Sequence, residues 1–251
     1  MMAALAGLGL VLFIGVTSVV GLRLLWRARQ TRGGAELLCG LAFTSIAVIG
    51  YPASILAGAG ATVGELHMLP YVVGTLFDSL GIAFFYAFAW VVFRRNDAWA
   101  GTLAWAAWGG LALGCAGLIG TVQRAPADAP MLQVGGAWQS MLQLLSIGCF
   151  AWMAVEGFLH AGRASKRLAL GLADPVVVDR FRLFGLFGVS TTLLSGVFVL
   201  SRLLGEVPGE GVVLNIGCGF FGTLSSSFVA LAFVPPRFYL ARLRRRSPPP
   251  A

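Results

Sequence analysis

The chain has 251 residues, of which 58% are hydrophobic and only 11% charged, and its mean hydropathy is +0.85. A soluble domain carries about a quarter charged residues, so this composition excludes an ordinary water-soluble fold and makes lipid the main solvent. The formal net charge of +8 does not indicate a nucleic-acid partner, because the basic residues fall in short stretches between long apolar runs.

Seven apolar segments are long enough to cross a hydrocarbon core of about 30 Å as helices. The first, 3–25, lacks a basic leader region and reads as a span rather than a cleaved signal peptide. The second, 37–60, contains Tyr51-Pro52, which should kink its outer half. The third covers 68–93. The fourth, 98–122, carries Gly110 and Gly114 at the spacing of a close packing face, and its Trp99, Trp105 and Trp108 read as packing and interface anchors. The fifth, 134–161, should continue as helix toward Leu170. The sixth, 175–204, opens on Asp174-Pro175, a capping residue followed by a first-turn proline. At a rise of about 1.5 Å per residue it exceeds the hydrocarbon thickness and should project beyond it. The seventh, 211–236, stops at Pro235-Pro236, and 241–251 form a basic, proline-rich tail. The expected fold is all-α: one polytopic domain, 1–240, built as a seven-transmembrane-helix bundle with no length left in it for a soluble catalytic unit.

Within the spans, Asp78 is the sharpest feature. It lies ten residues into the third segment, about 15 Å deep by helical rise, and no Lys or Arg occurs at similar depth. It should therefore be neutral or meet a cation. Tyr71, Thr75, Asp78 and Tyr86 form a polar stripe expected to face the bundle interior, with Phe77, Leu80, Phe84 and Phe88 facing elsewhere. Gln139 and Gln143 on the fifth span, Thr191, Thr192 and Ser195 on the sixth, and Asn215 and Ser226 on the seventh reach comparable depth. Together these would line a polar central cavity. The alternative is that Asp78 is hydrogen-bonded glue and each hydroxyl bonds its own backbone. Glu156 and His160 share a helix face near the end of the fifth span, either as a proton-handling pair or as ordinary interfacial residues.

Several chemistries are excluded. Cys39, Cys115, Cys149 and Cys218 sit far apart in apolar runs, and His67 and His160 lie at opposite ends of the bundle, so no metal site is expected. There is no HExxH and no GxSxG, and the seventh span has no lysine for retinal. No catalytic residue and no cofactor is expected.

The stretch Leu170-Gly-Leu-Ala-Asp-Pro-Val-Val, with Arg180-Phe181 and Leu183-Phe184-Gly185, resembles a segment of uncharacterised bacterial seven-span proteins. The basic turn Arg27 to Arg32 and Gly50-Tyr51-Pro52 resemble seven-helix sensor modules of bacterial histidine kinases, although no kinase domain is present. The resemblance implies a bacterial inner-membrane setting and no established activity. Three functions stay open: a receptor-like or sensory bundle binding a small or lipophilic ligand and acting through a cytoplasmic or membrane partner protein, a small-solute or proton-coupled transporter using Asp78, and an assembly scaffold.

Orientation follows from the basic residues. Arg23, Arg27, Arg29, Arg32, Arg94, Arg95, Arg163, Lys166, Arg167, Arg180, Arg182, Arg237, Arg242, Arg244, Arg245 and Arg246 share one side, and only Arg124 and Arg202 lie on the other. The positive-inside rule puts the sixteen in the cytoplasm and the N-terminus outside. A cytoplasm-active reporter fused after Arg246 should therefore give signal, and an outside-active one at the same point should be silent; the opposite pair of results overturns this orientation.

Overall fold

The computed structural model describes residues 2–57, 62–129, 134–205 and 211–245. The end of the expected second span at 58–60, and Arg246 with the rest of the tail at 247–251, lie outside the described residues. The elements are α1 (Met2–Thr31), α2 (Gly34–Thr44), α3 (Tyr51–Ala57), α4 (Met68–Phe93), α5 (Ala98–Arg124), α6 (Gly136–Ala169), α7 (Pro175–Leu203), α8 (Val212–Phe233) and a short α9 (Arg237–Arg245). A π-helical turn, Ser45–Gly50, joins α2 and α3 into one span. Seven helical segments are thus long and apolar enough to cross a membrane, and the chain is an all-α seven-span bundle.

The spans close into a ring in chain order. Each packs on its sequence neighbour, α8 returns to α1, and α4 also reaches α6. Span 1 shows why lipid surrounds this ring: Val11, Val19, Leu22 and Trp26 are each more than half exposed along one face, while Phe13, Thr17, Val20 and Leu24 are buried on the other.

Local chemistry sets the joints. Pro52 has no N–H to donate, and instead of a simple bend the helix before it widens: the Tyr51 N–H donates five residues back to the Ile46 carbonyl. Helix α6 runs eight residues past its expected apolar end and closes on Gly171 in the left-handed region (φ 71°). There Leu172 N–H donates to Arg167 O at 2.9 Å and Gly171 N–H to Leu168 O at 3.0 Å, the paired bonds of a Schellman motif. Asp174 then caps α7 as expected, its Oδ1 accepting from Val176 N at 2.8 Å. At the other end, the loops between spans 2 and 3 and between spans 4 and 5 pair through Gly64 N–H to Ala127 O (2.7 Å) and Val63 N–H to Ala129 O (3.0 Å).

The middle of the bundle is aromatic. Phe43, Phe85, Phe150, Phe187, Phe184 and Phe233, from spans 2, 3, 5, 6 and 7, touch one another with ring centroids between 5.1 and 6.4 Å. Phe88, expected to face away from the interior, is buried against Phe184. Its helix carries large rings on more than one face, and in lipid an apolar ring packs as readily inward as outward.

Backbones come closest where glycines meet. A Cβ on Gly188 would lie 2.7 Å from Ala154 N and 2.8 Å from Phe150 O, and one on Gly157 would lie 2.7 Å from Gly185 N. Gly110 and Gly114 receive Leu145 and Leu142 of span 5, the packing face anticipated for span 4. Gly188→Ala must push two helices apart and should cost about 1–3 kcal/mol. Gly109→Ala, with nothing within 4 Å of the added carbon, should melt at or slightly above wild type. Parallel thermal melts in one detergent check this; equal losses in both variants would deny the close crossing.

Candidate functional site

The expected polar residues separate into local pairs. Asp78 turns to span 2, where its Oδ2 accepts from Ser54 Oγ at 3.4 Å and its buried Oδ1 has no hydrogen-bond partner among the described residues. Tyr86 donates to the Leu145 carbonyl at 2.8 Å, tying span 3 to span 5. Gln143 donates to the Ser195 carbonyl of span 6 at 3.3 Å. Ser225 of span 7 meets Ser190 at 2.7 Å and Thr191 at 3.3 Å, while Thr192 and Ser226 donate to their own helix at Gly188 O and Gly222 O. Tyr71 packs with Val63, Leu118 and Val122 at the end away from the basic residues. Thr75 lends its carbonyl to the Cys115 thiol. Gln139 lies half-buried in the first turn of α6, and Asn215 is buried in α8. With phenylalanines filling the centre, the structure does not gather these groups around Asp78. Where these groups find partners, they find them on their own or the facing helix, because an unsatisfied group in hydrocarbon costs several kcal/mol; among the described residues, the buried Asp78 Oδ1 and Tyr71 hydroxyl have none.

A cavity of about 310 Å³ lies instead at the basic end, between spans 1, 2, 3, 6 and 7. Helix α1 carries Arg23 and Arg27, four residues apart, past the apolar part of span 1. Helix α7 turns Val177, Arg180, Phe181 and Phe184 toward the same space, at the i, i+3, i+4, i+7 spacing of one face. Phe88 and Phe93 of α4 and Phe233 of α8 complete an apolar floor. Glu36 lies 3.9 Å from Arg27. Arg23 and Arg180 are exposed and make no ion pair among the described residues. The spacing signal was present in the sequence, but it was absorbed by the reading of these arginines as orientation determinants.

Behind the Phe93–Phe181 wall sits a second polar cluster. Glu156 is 2% exposed, and its Oε1 accepts from Arg94 Nε at 2.7 Å and from Trp152 Nε1 at 3.3 Å. His160 is joined to Glu156, as its spacing suggested, but through Nδ1 and the Glu156 backbone carbonyl at 3.0 Å; Oε2 lies 3.7 Å from Nδ1. The His160 ring rests between Phe93 (4.7 Å) and Phe181 (5.7 Å), two rings that also line the cavity. Arg94 was missed as the partner. Its position just past span 3, opposite an acidic residue at similar depth in span 5, was the available signal.

The tail is tied to the same helix turn. Tyr239 of α9 donates to Asp179 Oδ2 at 2.6 Å, and burial together with that carboxylate pushes its phenol up to about 12. Asp179 and Arg180 are neighbours, so the first turn of α7 holds the tail with one side chain and faces the cavity with the next.

Glu156 makes Arg94 a demanding position. Arg94→Ala leaves a buried carboxylate without its cation and should cost about 3 kcal/mol, the low end for such pairs because Arg94 keeps some solvent contact. Adding Glu156→Gln should recover most of that loss. A double-mutant cycle of thermal melts measures the coupling, and strictly additive losses would show that the pair does not interact.

No protein-family model, curated protein or solved structure matches the chain.

Proposed function

We propose that the chain is a receptor-like protein of a bacterial inner membrane, with its basic end in the cytoplasm, that takes an anionic lipophile into the basic-end cavity and acts through a partner protein. The carrying observation is the cavity itself: about 310 Å³ of space with a phenylalanine floor and Arg23, Arg27 and Arg180 on its rim. Ligand pockets begin at about 300 Å³, apolar walls take up a chain or ring, and guanidinium groups select carboxylate or phosphate. A cationic ligand would meet Arg23 and Arg180, with only Arg27 offset by Glu36. The position at a helix-bundle mouth suits a molecule that arrives from the inner leaflet with its headgroup in water.

Transmission has a physical route. Arg180 and Phe181 would meet the ligand, and one residue away Asp179 holds the tail helix. A ligand that draws Arg180 inward shifts the first turn of α7 and with it the docking of α9, whose basic surface faces the partner. The long sixth helix and the resemblance to kinase sensor modules support the same reading.

Purified protein in phosphatidylcholine nanodiscs should bind a pyrene-labelled long-chain fatty acid, and Arg23→Ala with Arg180→Ala should weaken that binding about tenfold or more, one lost charged contact being about 1.5–3 kcal/mol. The uncharged methyl ester should bind both proteins alike. Equal affinity of the acid for wild type and the double variant would overturn the anionic-ligand reading.

A further inference from the structure

The crossing of spans 2 and 3 carries a feature independent of the basic-end cavity. Small residues line both sides of it in register. Gly81 lies against Ala42 and Ile46, Asp78 against Gly50, and Gly74 against Ser54. A Cβ on Gly50 would collide with Asp78 Oδ1, so this oxygen rests directly against the glycine. Among the described residues, the buried Oδ1 has no hydrogen-bond partner and Oδ2 has only the long contact from Ser54. Among the described residues, the titratable groups near Asp78 are Tyr51 on span 2 and Cys115 on span 4, and neither can supply positive charge.

An ionised carboxylate in this place would sit in hydrocarbon with one oxygen bare and no counter-ion, which is among the least favourable arrangements a membrane protein can adopt. A metal ion has no room at Oδ1, because the Gly50 backbone occupies the approach to that oxygen. A proton needs none. Gly50 is also the last residue of the π-turn, and with Pro52 following, that turn is one backbone donor short. Such a turn is a place where a helix can change its winding without breaking a full set of bonds.

We infer that Asp78 and the π-turn of span 2 form an intramembrane proton-binding site, which holds spans 2 and 3 together when the carboxyl is protonated and lets them part when the proton leaves. On release the O–H bond breaks, water entering between the spans takes the proton, and Asp78 keeps the negative charge, now hydrated. The site needs no ligand from the basic-end cavity.

Infrared difference spectra of the protein in phosphatidylcholine nanodiscs test this directly. Wild type should show a protonated-carboxyl stretch that shifts in heavy water and disappears as pH rises, and Asp78→Asn should lack that band. Thermal melts give the second reading. Because the protonated form stabilises the packed crossing, wild type should lose melting temperature as pH rises, whereas Asp78→Asn, which keeps size and hydrogen bonding without a titratable proton, should respond less. If Asp78→Asn does not fold, the pH-dependent band in wild type still decides. Absence of that band, identical pH responses of the two proteins, or a transition that follows sodium concentration rather than pH each overturn the proton site.

Discussion

Lipid tails are as apolar as leucine, so the seven spans gain little by hiding apolar surface from one another and are held by how closely their backbones approach. Glycine sets that distance. Gly157, Gly185 and Gly188 let α6 and α7 meet backbone to backbone, Gly9 rests on Cys218 and Gly219 to close α8 onto α1, and Gly50, Gly74 and Gly81 bring span 2 onto span 3. At these distances dispersion contacts are dense and no side chain has to be ordered to make them. Four of the seven seams have such a contact; at the others glycines receive side chains, Trp90 on Gly101 between spans 3 and 4, Leu142, Leu145 and Trp138 between spans 4 and 5, and Val197 on Gly217 between spans 6 and 7.

Close crossings also decide where polar groups end up. Two helices that touch at a glycine leave no space beside the contact for water, so a polar residue next to it must find its partner on the facing helix or go without. Ser190, Thr191 and Ser225 find one another across spans 6 and 7. Glu156, adjacent to Gly157, draws Arg94 from the end of span 3. Asp78, against Gly50, keeps one oxygen unpartnered. Glu156 Oε2 is likewise buried without a hydrogen-bond partner among the described residues, so what separates the two carboxylates is the Arg94 guanidinium that Glu156 has and Asp78 lacks.

Span number and the α6–α7 turn were legible in the sequence because each rests on local rules. Hydropathy over about 20 residues defines a span, and Asp174-Pro175 defines a helix start without reference to anything distant. The interior was less legible. Period put Phe88 outside, and depth alone grouped Thr191 and Gln143 with Asp78, because a helical wheel gives the angle between residues and depth gives a level, and neither says which side faces a neighbour. In water the apolar face would settle that choice. Here lipid and core are equally apolar, and the decision passes to packing, which depends on six other helices.

The basic end shows the same limit from the other side. Its arginines satisfy an orientation rule in the sequence, and that rule is blind to whether they also converge. In the structure Arg23 and Arg27 from span 1 and Arg180 from span 6 share one rim because α8 closes the ring onto α1 and brings span 6 near span 1. Charges gathered that way repel one another, and Glu36, at 3.9 Å from Arg27 alone, relieves only part of it. The convergence is thus a product of ring closure: three guanidinium groups, from two spans far apart in sequence, meet over a floor of phenylalanines from spans 3, 6 and 7.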